Sequence, residues 1–530
     1  MGKYINPGNE GFAEIRRDIY VDKTGLIAYI NDLIGKPKPL VSFSRPRRFG
    51  KSYTANMLCA YYDAGCDSRE LFEDLQIAHA DSFKTMLNQF NVISFDVTGF
   101  IKTSVNRKMN ALERMQKALL SELKETFPGC VDEEEDDVGN ALYSVVTKGN
   151  RKFVFVIDEW DALFREFKED QQLQRDYILF LRGIFKNKDV TPKTIAAAYM
   201  TGILPIKKYG TESALSDFKE FTMADPLILS EYVGFTEAEV CTLCSRYDID
   251  FEEMKQWYDG YSFEDTKSVY SPNSVMSAIK FRRFRNYWTQ TETFESLKQY
   301  IGENYDGLKD AIILMLGGQR VKIDINTFQN DFTSFDNKDD VLTLLIHLGY
   351  LAYDQQKEEA YIPNREVSEV FRVATRGGQW KEVECAIGQA EELLEATIRC
   401  DSDSVAKALE LVHEECTSVL KYNDENSLAC AIYIGYFTAK NYYMIVRELP
   451  SGKGFADYAF IPRRGTDKPA MIVELKYDKN ADTAIRQIHD NRYGGVMKKY
   501  FGELLLVGIN YDKDAEGKDA KRHQCVIERK

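Results

Sequence analysis

The chain has 530 residues, a hydrophobic fraction of 44%, a charged fraction of 29% and a formal net charge of −14. Its length accommodates two to four domains, and its composition is that of a folded globular protein, which excludes a disordered or fibrous one. The acidic balance excludes a protein that coats nucleic acid over its whole surface, because phosphate binding requires clustered lysine and arginine, but it is compatible with a local basic groove.

The sequence shows no targeting or membrane signal. Its longest apolar runs are strand-sized and far shorter than the roughly 20 residues that cross a bilayer. The first residues, MGKYINPGNEGF, lack the basic-then-apolar pattern of a signal peptide. The ten cysteines form no dense framework, which is typical of reduced thiols. We therefore predict a cytoplasmic protein without a membrane partner.

Residues 1–225 alternate short β-rich runs with helical stretches. This alternation predicts βαβ units and a mostly parallel sheet. The candidate strands are Pro39–Phe43, Val92–Val97, Phe153–Ile157 and Thr194–Met200.

The segment SRPRRFGKS, residues 44–52, lies between the first candidate strand and a helical segment. A phosphate-binding loop works because backbone N–H groups and a helix N-terminus face the anion, a lysine reaches the β- and γ-phosphates, and a Ser or Thr holds Mg²⁺. Gly50, Lys51 and Ser52 fit these roles, with Ser52 as a metal ligand. The usual pattern has a glycine five residues before Gly50, where this chain has Arg45.

A second element strengthens the prediction of a nucleotide site. The apolar run FVFVI ends in Asp158 and Glu159. A buried strand that ends in an acid places a carboxylate beside the Mg²⁺ of the loop, so we predict Asp158 as a metal ligand. Glu159 would polarise the attacking water. The next strand ends at Thr201, which is placed to contact the γ-phosphate or the water. The predicted ligand is ATP with Mg²⁺.

The middle of the chain reads as mostly helical. Residues 226–300 predict a helical lid. The segment DDVLTLLIHLGYLAYDQQKEEAYIPN predicts a helix followed by two short strands, the outline of a winged-helix-like connector within 301–375. Residues 376–421 predict two amphipathic helices that link to the tail.

Within the lid, FRRFRNYW at 281–288 alternates arginine with aromatic residues. Such a run is able to stack on or clamp nucleic acid. One of its arginines would alternatively reach a nucleotide from the lid. The default interpretation is a packed lid whose arginines are solvated. The sequence does not decide between these three interpretations.

Near the C-terminus, two predicted strands carry the residues of a metal site. FADYAFIP contains Asp457, and AMIVELKY contains Glu474 and Lys476. Residues two apart on a strand face the same side, so Glu474 and Lys476 point into one site that Asp457 can join from the neighbouring strand. Two carboxylates and a main-chain carbonyl suit Mg²⁺, which would activate water for phosphodiester cleavage while Lys476 orients or helps deprotonate that water.

The N-terminal half resembles the AAA-ATPase-like family. The resemblance is carried by YVDKTGLI, SRPRRFGKS, VIDEWDALF, WYDGYSF, YSPNSV and NYWTQT. In that family an Arg-Pro-Arg-Arg segment stands where other phosphate loops have their first glycine. The resemblance therefore implies that Arg45, Arg47 and Arg48 belong to the nucleotide site and add positive charge beside the phosphates. Which of them points inward stays open.

The tail resembles the PD-(D/E)xK nuclease superfamily, and specifically the nuclease-like domain that commonly follows AAA-ATPase-like modules. This resemblance implies two further catalytic residues: Gln487 on the helix after the ExK strand, and Glu425 on the first helix of the domain, whose register is uncertain because Asp424 is adjacent. The motif's proline is replaced by Ala456.

These patterns predict an α/β protein: a P-loop NTPase with a parallel sheet, a helical lid and a winged-helix-like connector, followed by a restriction-endonuclease-like α/β/α domain. The predicted segments are 1–225 for the ATPase, 226–300 for the lid, 301–375 for the connector, 376–421 for a helical linker and 422–530 for the nuclease-like domain.

The predicted function is an ATP-binding and hydrolysing protein whose nucleotide state gates cleavage of nucleic acid, with DNA favoured and Mg²⁺ or Mn²⁺ at the nuclease site. Defence or mobile-element biology is the role that the resemblance implies. The alternative is an ATP-driven switch whose tail binds nucleic acid or a partner without cleaving. A third hypothesis is that the phosphate loop binds the nucleotide without hydrolysing it. A homo-oligomer also stays open, because a ring needs an arginine from a neighbouring subunit and the sequence assigns none.

Overall fold

The computed structural model describes residues 2–104, 110–209, 212–288, 300–301, 307–316, 318–330, 332, 335–374, 392–416, 432, 436, 439, 442–451, 454–462, 466–490, 503–512 and 522–530. The chain divides into two compact units: Met1–Glu295 with Lys322–Val367, and Ser296–Val321 with Ser368–Lys530. This division is coarser than the five predicted segments, whose boundaries stay predictions. Across the described ranges, no helix combines the length and apolar character that a membrane span requires.

The strands, in chain order, are β1 (Leu40–Ser44), β2 (Asn91–Asp96), β3 (Phe153–Asp158), β4 (Ile195–Gly202), β5 (Lys208–Tyr209), β6 (Glu212–Ser213), β7 (Lys219–Phe221), β8 (Phe235–Thr236), β9 (Val269–Tyr270), β10 (Val321–Lys322), β11 (Ala352–Asp354), β12 (Glu359–Tyr361), β13 (Tyr443–Ser451), β14 (Gly454–Pro462), β15 (Ala470–Tyr477), β16 (Leu504–Tyr511) and β17 (His523–Arg529).

The α-helices, in chain order, are α1 (Glu10–Arg17), α2 (Gly25–Leu33), α3 (Lys51–Tyr62), α4 (Arg69–Phe72), α5 (Phe83–Met86), α6 (Val97–Ser104), α7 (Ala111–Thr126), α8 (Val138–Thr147), α9 (Ala162–Glu166), α10 (Gln171–Phe185), α11 (Thr191–Thr194), α12 (Glu237–Tyr247), α13 (Phe251–Tyr258), α14 (Pro272–Phe281), α15 (Leu308–Leu316), α16 (Lys338–His347), α17 (Arg365–Ala374), α18 (Ser402–Cys416) and α19 (Ala481–Asp490). Two 3₁₀ helices span Gln76–His79 and Leu227–Tyr232.

A five-stranded parallel sheet with the order β2-β3-β4-β1-β7 forms the centre of the first unit. Strands β1, β3 and β4 are buried along their whole length, which explains why β3 and β4 are mostly continuous apolar runs instead of alternating ones. The predicted parallel sheet is confirmed, and each of the four predicted strands agrees with the structure to within two residues at either end. Strand β7 was not predicted, because three residues are too few to show a pattern.

The order of this sheet decides where the chemistry falls. In a parallel sheet the carboxyl ends of the strands lie at one edge, and ligands bind outside that edge. The loop after β1, the acids after β3 and the end of β4 therefore meet on one side of the first unit.

The lid helices α12 to α14 pack through one apolar cluster that includes Val240, Met254, Tyr258 and Val275. The side chain of Thr236 caps α12 by accepting a hydrogen bond from the backbone N–H at position 239, which agrees with the sequence signal for a helix start. In the predicted connector, α16 is followed by the antiparallel hairpin β11–β12.

A mixed sheet with the order β13-β14-β15-β16-β17 forms the centre of the second unit. Strands β15 and β16 are parallel, and the other neighbours are antiparallel. Side chains of β15 alternate between the two faces: Val473 and Leu475 enter one core, and Ile472 packs with Ile485 and Ile488 of α19 in the other. Glu474 and Lys476 share the parity of Ile472, so they face the side of the sheet that α19 covers.

Gly508 of β16 allows α19 to approach the sheet closely. It pairs with Glu474 across the parallel strands, and a Cβ added there would lie 2.6 Å from the carbonyl oxygen of Ala481 and 2.9 Å from Cγ1 of Ile485. The obstacle is backbone as well as side chain, so a rotamer change would not relieve it.

We expect Gly508→Ala to lower the free energy of unfolding by about 1–3 kcal/mol, because overpacking must move α19 away from the sheet. The matched control is Gly183→Ala in α10, where an added Cβ meets nothing within 4 Å. That variant should gain about 0.5–1 kcal/mol from helix propensity. Denaturant unfolding of both variants checks the prediction, and equal stability of Gly508→Ala and the parent chain would contradict it.

Candidate functional sites

The loop between β1 and α3 turns sharply before the helix begins. Gly50, the N-cap of α3, has φ 78°, a left-handed conformation that glycine adopts without a steric cost. Arg48 also has positive φ, at 69°, which is uncommon for a residue with a side chain. This turn directs the N-terminus of α3, with its unpaired N–H groups, at the edge of the sheet, where an anion binds favourably.

Lys51 is buried inside this loop. Its Nζ donates to the carbonyl oxygens of Arg45 (3.3 Å) and Pro46 (3.2 Å), and it lies 3.3 Å from Oε1 of Glu159. Burial lowers the pKa of Lys51, and the charges of Glu159 and Asp158 oppose this shift. The ammonium group is thus held by carbonyl and carboxylate oxygens of the protein, and its contact with phosphate stays a prediction.

Ser52 and Asp158 are in direct contact, with the serine hydroxyl donating to Oδ2 at 2.6 Å. Burial raises the pKa of Asp158, and the hydrogen bond from Ser52 opposes the increase. A hydroxyl and a carboxylate side by side are hard oxygen ligands that fit Mg²⁺. The sequence predicted these two residues as metal ligands, and the structure brings them together; their role in binding a metal stays a prediction.

Glu159 is held by cations from two sides. Its Oε2 lies 2.6 Å from Nη1 of Arg165, and its Oε1 faces Lys51. Burial would raise the pKa of Glu159, but the charges of Lys51 and Arg165 outweigh it and lower the pKa to about 2. Its backbone has φ 50°, a second non-glycine residue in the left-handed region at this site.

Sequence reasoning missed Asp161 and Arg165. Nη1 of Arg165 lies 2.8 Å from Oδ1 of Asp161, and Oδ2 of Asp161 accepts from the backbone N–H groups of Ile203 (3.1 Å) and Leu204 (3.0 Å). Asp161 therefore ties the turn after β3 to the segment after β4. The signal that would have found the pair is its i, i+4 spacing in DEWDALFRE, which is that of a helical ion pair.

The three arginines of the loop differ in their surroundings. Arg45 is buried, and its guanidinium donates to the carbonyl of Tyr232 (2.9 Å), the hydroxyl of Thr54 (3.1 Å) and the hydroxyl of Tyr199 (2.9 Å). A contact of Arg45 with phosphate stays a prediction, and it requires the guanidinium to leave these partners. Arg47 is half-buried and Arg48 is exposed, and both line the cavity described below.

Thr201 is fully buried, and its hydroxyl donates to the carbonyl oxygen of Phe43 at 2.8 Å. This bond joins β4 to β1. The expected contact of Thr201 with the γ-phosphate or water stays a prediction, and it requires this hydroxyl to turn away from Phe43.

A cavity of about 860 Å³ opens at this edge of the sheet. Its volume lies within the range of small-molecule sites. Its lining includes charged and polar side chains, among them Lys51, Ser52, Glu159 and Arg165, and apolar or aromatic side chains, which are Ile19, Tyr20, Val21, Met57, Val233, Phe235 and Met276. The cavity thus combines charged and apolar side chains.

Four of the predicted residues of the tail converge on one site. Nζ of Lys476 donates to Oε1 of Glu474 (3.1 Å) and to the carbonyl of Leu475 (3.0 Å). The N–H of Leu475 donates to Oδ2 of Asp457 at 2.7 Å. Nε2 of Gln487, on α19, donates to Oε1 of Glu474. Glu425 lies outside the described residues.

Glu474 has the chemistry of a metal ligand. Burial and the nearby charge of Asp457 raise its pKa to about 7, while Lys476 opposes the shift. Its Oε2 is buried and has no hydrogen-bond partner among the described residues. A buried carboxylate oxygen without a partner is costly, and a cation would satisfy it.

The donor set defines what kind of metal site this would be. Nowhere in the described part of the chain do three His, Cys, Asp or Glu residues cluster to hold an ion. Beside Asp457 and Glu474, the carbonyl of Leu475 between Glu474 and Lys476 is able to supply a third oxygen. Such a set suits Mg²⁺ or Mn²⁺.

The fold and the site geometry define a P-loop ATPase-type domain and a nuclease-type domain in one chain. Comparison with known families agrees: residues 7–211 match the AAA-ATPase-like model, described as "Predicted AAA-ATPase", and residues 423–519 match the PD-(D/E)XK nuclease superfamily. The chain therefore carries an AAA-ATPase-like domain and a domain of the PD-(D/E)XK nuclease superfamily.

The chain is also similar to single proteins. It is 25% identical over 298 residues to an "Uncharacterized protein in vnfD 5'region" of Azotobacter chroococcum mcd 1, a match that covers 55% of this chain and 54% of that protein. The chain thus spans about half the length of the curated relative it matches. The S. cerevisiae Hsp104-ADP complex is similar over 83% of this chain and 49% of that chain, with 12% identity and a TM-score of 0.28. At that score the likeness supports no argument.

The raised pKa of Glu474, about 7, predicts a pH dependence of metal binding. Below pH 7 the carboxyl group is protonated and neutral, and it must lose its proton to bind a cation. Affinity for Mn²⁺ should therefore fall about tenfold for each pH unit below 7 and level off above it.

Calorimetric titration with Mn²⁺ between pH 5.5 and 8.5 checks this, in an Asp158→Ala chain so that the site in the first unit does not contribute. Glu474→Gln in the same background should bind weakly at every pH. An affinity of the Asp158→Ala chain that stays constant from pH 5.5 to 7.5 would exclude Glu474 as the titrating ligand.

Proposed function

We propose that this protein binds and hydrolyses ATP in its first unit and cleaves phosphodiester bonds of nucleic acid, with DNA favoured, in its second unit. In this proposal the nucleotide state gates the cleavage. The observation that carries it is the convergence of Asp457, Glu474, Lys476 and Gln487, with the buried Oε2 of Glu474 lacking a partner among the described residues.

In the first unit the phosphates of ATP would replace protein groups that now contact the ammonium group of Lys51. The ammonium group would exchange the carbonyls of Arg45 and Pro46 for phosphate oxygens. Magnesium held by Ser52 and Asp158 would supply neutralisation of charge on the phosphates. Glu159, ionised at neutral pH, would accept a hydrogen bond from the attacking water while Arg165 keeps its carboxylate in place.

The apolar side chains of the cavity lining would hold the adenine ring. Ile19, Tyr20 and Val21 belong to this lining, as do Phe235 and Met276. An adenine ring buries well against such side chains, since base recognition requires apolar contact on its flat faces. This placement sets the triphosphate toward Lys51.

In the second unit Asp457, Glu474 and the carbonyl of Leu475 would hold Mg²⁺ or Mn²⁺. The metal would supply activation of water and neutralisation of charge on the scissile phosphate. Lys476 would leave the Leu475 carbonyl and orient the attacking water. Gln487 would keep the Glu474 carboxylate in position through its hydrogen bond.

The wider parts of the proposal are a cytoplasmic location, a role in defence or mobile elements, and the option of a homo-oligomer. The alternative function is an ATP-driven switch whose second unit binds nucleic acid or a partner without cutting it. A cleavage assay separates the two.

We expect Glu474→Ala and Lys476→Ala to abolish cleavage while ATP hydrolysis continues, because these residues belong to the second site alone. Matched controls are Glu395→Ala and Lys479→Ala, two exposed residues of the same unit, which should cut like the parent chain. The assay uses single- and double-stranded DNA and RNA, with Mg²⁺ or Mn²⁺, with and without ATP. A parent chain that binds DNA yet never nicks any substrate would favour the switch.

We expect Glu159→Gln to keep ATP binding and to lose hydrolysis by about 10²-fold or more, since an amide orients the attacking water poorly. Glu169→Gln, at an exposed position nearby, is the matched control. Nucleotide binding is measured with a fluorescent ATP analogue, and hydrolysis by phosphate release. If the chain binds ATP but the parent shows no turnover, the first unit is a nucleotide-binding module only.

A further inference from the structure

The segment that follows α14 is an exposed basic and aromatic surface, which we call the lid tip and define as Phe281–Tyr287. Phe281 is 61% exposed, which is unusual for a ring of this size. Arg282, Arg283 and Arg285 are also exposed. One aromatic and three basic side chains within residues 281–285 are therefore exposed to solvent.

The backbone of the lid tip is held firmly by tyrosine hydroxyls. The hydroxyl of Tyr258 donates to the carbonyl of Arg285 (2.9 Å) and accepts from its N–H (3.1 Å). The hydroxyl of Tyr287 donates to the carbonyl of Arg283 at 2.8 Å. Nη2 of Arg282 donates to the carbonyl oxygen of Tyr247 at 3.2 Å. The backbone of the lid tip is thus fixed, and a preorganised surface loses less entropy when it binds a ligand.

Two aromatic rings and one arginine of the lid tip pack together, the exposed ring of Phe281 lying against the buried ring of Tyr287. The rings of Phe281 and Tyr287 are stacked, with centroids 6.2 Å apart and an interplanar angle of 23°. The guanidinium of Arg285 lies 5.8 Å from the centroid of Phe281 and 5.1 Å from that of Tyr287. An exposed aromatic ring with an arginine packed beside it is a surface on which a nucleobase stacks.

The charge of the lid tip is not neutralised by the described part of the protein. Lys280, just before it, pairs with Asp18 at 2.5 Å. For Arg282, Arg283 and Arg285, no carboxylate of the described residues lies within ion-pair distance. In a chain with a net charge of −14, three arginines within four residues that lack an acidic partner among the described residues are complementary to a polyanion.

We propose that the lid tip binds single-stranded DNA. The arginines contact successive phosphates, and an unpaired base stacks on the exposed face of Phe281. Duplex DNA fits less well, because its bases are already stacked and only its phosphates are accessible. This surface lies in the first unit and is additional to the proposed cleavage site, so the protein would hold its nucleic acid through residues that do no chemistry.

The experiment measures binding of a fluorescein-labelled dT₂₀ oligonucleotide to the full chain by fluorescence anisotropy, in EDTA and without nucleotide. Phe281→Ala should weaken binding about fivefold or more, because base stacking on an aromatic ring is lost. Arg283→Glu and the double variant Arg283→Glu/Arg285→Glu should weaken it progressively. Each lost phosphate contact should reduce the slope of log K against log salt by about 0.7.

The matched controls are Leu179→Ala, a 60% exposed apolar residue of α10, and Arg151→Glu, an exposed arginine before β3. Both should bind dT₂₀ within twofold of the parent chain. Thermal unfolding verifies that each variant is folded, and Arg283→Gln replaces Arg283→Glu if the charge reversal prevents folding.

If the lid-tip variants bind dT₂₀ as tightly as the parent chain does, the proposal is overturned. Tighter binding of rU₂₀ or of a 20-base-pair duplex, lost in the same variants, overturns the assignment to single-stranded DNA. Displacement of dT₂₀ by polyglutamate at equal charge also overturns it, since it would make the surface an acidic-peptide site. EDTA prevents metal-dependent cleavage, so the outcome does not depend on whether ATP is hydrolysed or DNA is cut.

Discussion

The first unit depends on a set of charges that neutralise one another at the edge of its parallel sheet. Lys51 faces Glu159, Glu159 faces Arg165, and Arg165 faces Asp161, all largely or fully buried. Removing one member of a buried ion pair leaves an uncompensated charge, which is strongly destabilising. A triphosphate that enters the cavity therefore competes with existing partners of Lys51, and the protein already contains the charges that a bound phosphate would meet.

The same arrangement recurs in the second unit on a different fold. The ammonium group of Lys476 donates hydrogen bonds to the buried carboxylate of Glu474 and to the backbone carbonyl of Leu475. In both sites burial raises the pKa of an acid, Asp158 or Glu474, that is a candidate metal ligand. A carboxylate that is costly to ionise without a cation gains most when a cation binds, so a cation in either site would stabilise it.

The sequence was sufficient for the parts of these sites that follow from strand geometry. The end of β3 had to lie near the loop after β1, because parallel strands share a carboxyl edge, and this brought Asp158 to Ser52. Glu474 and Lys476 had to share a face, because they are two apart on a strand. The surroundings of Arg45 and Thr201 did not follow, since they depend on which neighbours their side chains meet. The i, i+4 spacing of Asp161 and Arg165 was available as a signal for their ion pair, but it does not reveal that Glu159 joins it.

The hydrogen bonds of Arg45 limit which residue can stand at this position of the loop. Arg45 fills the position where other phosphate loops have glycine, and its guanidinium bonds to Tyr232, Thr54 and Tyr199 across three separate segments. An Arg45→Gly substitution would leave the Tyr199 hydroxyl and the Tyr232 carbonyl without this donor and would open a void beneath the loop. Glycine at this position would therefore fit only together with changes in those partners.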